Sequence, residues 1–157
     1  MNGRRQEAGD RRQGTEDRKQ KRQQRGEIMA IQSAKELIVY SKAYELAMRL
    51  FELSKRFPSE ERFALTSQIR RSSRSICMNL REAWAKRRYE AHFVSKLTDC
   101  DAEVNETDTS LDFARDCNYI SQEEHQYAVN LGKEVGRMLG SMIQNPNPFL
   151  LATTTIA

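Results

Sequence analysis

Guanidinium groups carry the most specific chemistry this sequence offers. Arg70, Arg74, Arg81 and Arg88 recur at intervals of four, seven and seven residues. At about 100° per residue on a helix they fall within about 40° of one another and form a single row, with Arg71 further round. A planar guanidinium can meet two phosphate oxygens at once, so such a row is chemistry for holding phosphate. The row runs into the segment "AKRRYEAHF", which adds Lys86, Arg87, Tyr89 and His92. These nine residues are the candidate nucleic-acid or partner-binding set.

Other chemistry is missing from the sequence. Paired Glu-x-x-His motifs would mark a di-iron bundle, but Tyr89 and Gln122 stand three residues before His92 and His125. No P-loop, GxGxxG, HExxH or GxSxG motif occurs. Cys77, Cys100 and Cys117 are odd in number and form no CxxC, which fits reduced thiols in a cytoplasmic protein better than a disulfide or zinc framework. The expectation is a non-enzyme without metal or cofactor.

The net charge of +4 is unevenly placed. Residues 1–28 hold nine cations and five acids, and the remaining 129 residues hold seventeen of each sign. The leader has no large apolar side chain before Ile28 and is expected to be disordered. The purine-rich codons implied by "RGEIM" suggest translation from Met29. No apolar run approaches the roughly 18–20 residues that a membrane-spanning helix needs.

Four helical segments must position the arginines. Apolar spacing gives a first stripe of Leu37, Tyr40, Tyr44, Ala47, Phe51 and Ser54, ended by Pro58. A second helix is expected to start on Ser59 as N-cap, with stripe Leu65, Ile69, Ser73, Ile76, Leu80 and Trp84. Trp84 lies on that inward stripe, which favours a core role over stacking on a base. A third stripe runs Phe93, Leu97, Cys100, Val104, Thr107, Leu111 and Ala114, with Asn118 closing the helix. A capping box, Ser121 with Glu124, opens a fourth helix carrying Tyr127, Leu131, Val135, Met138 and Met142, stopped by "NPNP". A tight turn is placed at residues 86–91, and Glu82 is expected to pair with Lys86. The fold expected is all-α: a leader over 1–32, an antiparallel up-down four-helix bundle over 33–144 and a tail over 145–157.

Charge divides between consecutive helices. Residues 60–88 contain eight cations and three acids, whereas residues 90–124 contain ten acids and two cations. Two readings follow. Either the acidic helix neutralises the basic one, or several arginines stay free for phosphate. The outer face of the second helix, Ala64, Ser67, Ser75, Met78 and Ala85, is small or apolar and points to a self-association interface.

The stretches "FPSEERFALTSQIRRSSRSICMNLREAWAKRRYEAHF" and "ETDTSLDFARDCNYI", with "KEVGRMLGSMI", resemble the bacterial four-helix-bundle proteins encoded in intervening sequences of 23S rRNA genes. Relatives of these serve as accessory proteins of diversity-generating retroelements. The resemblance covers roughly residues 34–143. Arg81 stands where a small residue is usual, and Ser110 where a bulky aromatic is common. The resemblance implies a homopentameric ring with a basic surface, and for the retroelement relatives a reverse transcriptase and RNA as partners. The leading expectation is therefore a cytoplasmic, oligomeric adaptor for RNA or a ribonucleoprotein. Its alternative is a structural or protein-binding scaffold whose arginines are all paired with acid.

Overall fold

The computed structural model describes residues 3–152, with side chains from residue 13 onward; the tail positions 153–157 and the first two leader positions lie outside the described residues. The chain is all-helical. Among the described residues there are five α-helices, α1 (Gly3–Met29), α2 (Ile38–Ser54), α3 (Leu65–Ala85), α4 (Glu90–Asp116) and α5 (Gln122–Gln144), with 3₁₀ turns before α2, before α3 and after α5, and no strand. The chain divides into two units at Gln32/Ser33.

The first unit is helical where the leader was expected to be disordered. Gly3–Met29 is a helix. Arg, Gln, Glu and Lys are good helix formers, and no proline interrupts the run. The side chains described from residue 13 to Gln32 lie exposed or half-exposed, so this helix buries nothing in its own unit.

In the second unit α2 packs on α3, α3 on α4, α4 on α5, and α5 on α2. The α3 stripe from Leu65 to Trp84 and the α4 stripe from Phe93 to Ala114 are buried throughout, as their spacing predicts. On α2 Leu37, Ala47 and Ser54 of the expected stripe are buried, but its aromatic positions are not the core face. Val39, Ala43, Leu46, Ala47, Leu50 and Leu53 are buried, whereas Tyr44 is 54% exposed and Tyr40 and Phe51 are half-buried. Two apolar columns compete on that helix, and the aliphatic one takes the core while the aromatic one faces α3. On α5 His125, Ala128, Val129 and Leu139 go inward with Leu131, Val135 and Met142. Tyr127 stays outside and donates to Glu45 Oε1 at 2.8 Å.

The helix ends follow local chemistry. Asn118 has φ 61°, and the Tyr119 N–H donates back to the Ala114 carbonyl at 2.8 Å, closing α4. Ser121 and Glu124 form the capping box of α5. Ser59 does not cap α3. It opens a 3₁₀ turn, Ser59–Glu61, and the Glu61 carboxylate accepts the Leu65 N–H at 3.0 Å instead. The turn between α3 and α4 occupies residues 86–89. Past α5 the tail makes a 3₁₀ turn, Asn147–Phe149, stacks Phe149 on Phe93 at 6.2 Å, and donates the Leu151 N–H to the Arg87 carbonyl at 3.3 Å.

Candidate nucleic-acid interface

Helix α3 lies between α2 and α4, and its cations divide accordingly. Arg71 faces α4, where it pairs with Glu106 and with Glu103 at 3.4 Å. Arg70, Arg74 and Arg81 face α2. The Arg70 Nε donates to Ser54 Oγ at 2.7 Å, and its guanidinium lies 4.9 Å from the Phe51 ring centroid. Arg74 sits 5.6 Å from the same centroid, and Lys55 Nζ 4.7 Å. A ring face attracts cations through its quadrupole, so Phe51 holds these groups without neutralising them. Arg70, Arg74, Arg81 and Arg88 have no ion pair among the described residues. Arg70, Arg74 and Arg81 thus share the α2 side of α3, Arg88 stands in the turn beyond the helix end, and Arg71 is engaged by acid.

The turn end is arranged differently from expectation. Glu82 does not pair with Lys86. Lys96 reaches across from α4 to within 2.8 Å, and that hydrogen bond lowers the Glu82 carboxyl below its usual range. Arg87 is half-buried, not a free rim cation. Its guanidinium stacks 3.7 Å over the Trp84 ring, its Nε donates to the Trp84 carbonyl at 2.9 Å, and burial lowers its pKa. Trp84 is buried, and its indole N–H has no hydrogen-bond partner among the described residues. Lys86, Arg88, Tyr89 and His92 are exposed, with the Tyr89 and His92 rings edge to face at 5.4 Å.

The outer face of α3 is open. Ala64, Ser67 and Ala85 are exposed, Ser75 is half-buried and Met78 is 65% exposed. Phe63, at 89%, stands beside them under Arg62 and was not among the sequence candidates. Its position just before the helix start gives it no periodic signature. A shallow depression of about 570 Å³ joins Phe63 and Met78 to Arg62, Arg70, Arg71 and Arg74.

The acids of α4 engage partners on two sides. Asp99 joins Lys96, and Glu103 and Glu106 join Arg71. On the other side Asp112 accepts from His125 Nε2 at 2.8 Å, with Arg115 bridging Asp112 and Asp116. Sequence reasoning missed this buried histidine because the apolar count placed the α5 face through Tyr127. Cys77 and Cys100 are buried, their thiols pushed up to about 11 and about 12 by burial, and Cys117 is exposed. No cluster of His, Cys, Asp and Glu suited to a metal occurs among the described residues, and none of their helices is long and apolar enough to cross a membrane.

No curated protein matches the chain. It is similar to a crystal structure of a protein of unknown function from the S23 ribosomal protein family of Bacteroides thetaiotaomicron. The two share 33% identity with a TM-score of 0.63, over 69% of this chain and 100% of the other. Residues 35–141, which span α2 to α5 and every unpaired arginine of the row, match the family described as 23S rRNA-intervening sequence protein. The chain belongs to the 23S rRNA-intervening sequence protein family.

Proposed function

We propose that this protein is a non-enzymatic, oligomeric adaptor of the cytoplasm that binds RNA or a ribonucleoprotein through the α2–α3 face. The observation that carries the reading is charge left over. Arg70, Arg74 and Arg81 on the α2 side of α3, and Arg88 in the turn that follows, form no ion pair among the described residues. Guanidinium is weakly hydrated and suited to phosphate, so an unpaired row is poised for a polyanion. The scaffold alternative, in which acid neutralises every arginine, has in its favour only Arg71 among the arginines of α3.

The working form in this proposal is an antiparallel up-down four-helix bundle. Arg56 meets Glu124 at one end of the α2–α5 contact and Lys42 meets Glu134 further along, which supports opposite chain directions. Copies associate through the outer face of α3 around Met78, in a pentameric ring if the family resemblance extends so far. A relationship to retroelement accessory proteins would make a reverse transcriptase the protein partner.

Salt dependence tests the reading. With roughly six phosphate contacts, affinity for RNA is expected to fall about 10³-fold or more between 50 and 200 mM salt. Changing Arg74, Arg81 and Arg88 together to Glu should flatten the logarithmic salt slope by about two to three units, because each lost contact removes about 0.7–0.9. None of the three holds an acid, so the melting temperature should stay close to that of the parent. Loss of melting temperature with RNA affinity unchanged would return the arginines to the fold.

A further inference from the structure

Between α2 and α3 lies a cleft of about 310 Å³ lined by Tyr40, Tyr44, Ala47, Met48, Arg74, Cys77, Met78 and Arg81. No carboxylate lines it. The Tyr40 and Tyr44 rings are stacked, with centroids 6.2 Å apart and planes 24° from parallel. Tyr44 and Met48 are 54% and 46% exposed, so the aromatic surface is open beside the Met48 thioether, with Met78 at the edge of the cleft toward the proposed contact between copies. Arg81 and Arg74 sit two helical turns apart, about 10 Å along α3. On the far side of the tyrosines a second depression adds Lys35 and Ser41. Cys77 contributes a neutral thiol to the lining, since burial holds it protonated.

We propose that this cleft receives an unstacked base of single-stranded RNA against the tyrosine pair, with the flanking phosphates on Arg74 and Arg81. The inference rests on the RNA-binding reading and narrows its ligand to single strands. Every base offers a π-face to an aromatic platform, and a cationic groove tracks the backbone, which is the general recipe for binding single strands. A duplex keeps its bases in the stack and can reach the arginine row only with its phosphates. The absence of acid from the lining disfavours a cationic partner. The open rings and the Met48 thioether give the cleft more than a phosphate alone would use.

The test compares a short single-stranded RNA with its own duplex by filter binding on the full chain at fixed salt. The single strand should bind more tightly. Tyr44→Ala should weaken it by roughly 5- to 150-fold, the range for losing one base–aromatic stack, and leave duplex binding unchanged. Tyr44→Trp should restore the affinity. Tyr44 is half exposed, so the melting temperature should barely move. Equal binding of both forms, unaffected by Tyr44→Ala, overturns the cleft and leaves the broader RNA reading standing. Failure of either form to bind at low salt overturns that reading and the cleft with it. A change in particle mass for Tyr44→Ala with RNA affinity intact would assign the cleft to contact between copies.

Discussion

Ser72 and Thr107 show how a core of helices tolerates hydroxyls. Their oxygens lie 2.9 Å apart at the buried α3–α4 contact, and Thr107 Oγ1 donates to the Glu103 carbonyl at 2.8 Å. Neither group reaches water, so removing one leaves the other only the bond to its own helix, which for Ser72 is a long one to the Ile69 carbonyl at 3.4 Å. Thr107→Val keeps the shape and should cost about 1–2 kcal/mol of unfolding free energy in urea titration. Adding Ser72→Ala should recover part of that loss; strict additivity would mean the two hydroxyls act independently. The side chains of the arginine row follow a different rule. Their spacing was legible in the sequence, because helical periodicity fixes which residues share a face. Their freedom from acid was not. That depends on which neighbour the face meets, and nothing in the spacing of Arg74 says that Phe51, not Glu103, will lie opposite.

Among the elements, α5 was read most accurately at its start and least accurately along its length. The Ser121–Glu124 capping box is a local pattern and needs no tertiary information. Which of two adjacent faces turns inward is a tertiary choice, and so Tyr127 was misplaced on α5 just as Tyr44 was on α2. The same capping residue makes a testable electrostatic element. Hydrogen bonds from the Arg56 side chain and then from the Ser121 backbone hold the Glu124 carboxyl down at about 2, against 4.5 for the free group. A carboxyl whose folded pKa is depressed adds stability above its unfolded value, and that stability is lost as pH falls through the folded one. The parent should therefore lose urea resistance between pH 4.5 and about 2. Glu124→Gln should be weaker than the parent at neutral pH, and its curve should meet the parent's near the acid end. Parallel curves across that window would show that the Arg56 pairing contributes nothing.

For the molecule as a whole, the sequence placed opposite charge on neighbouring helices, and the packing neutralises only part of it. Acid and base meet across α3–α4 at Arg71 and Lys96, leaving one basic face on the α2 side. The outer face of α3 also presents Met78 and Phe63 to solvent, and the proposed contact between copies would cover them. Met78→Glu should shift light scattering toward smaller species, because an unpaired charge in a closed contact is costly. Unchanged particle mass would make Met78 an ordinary surface residue. Trp84 gives the far end of the molecule a property of its own. As the chain's only indole, buried under Arg87 whose carbonyl ties down the returning tail, it is a built-in optical probe. Its emission wavelength and its accessibility to a quencher report on one place alone: the closure of the bundle end by residues 147–151.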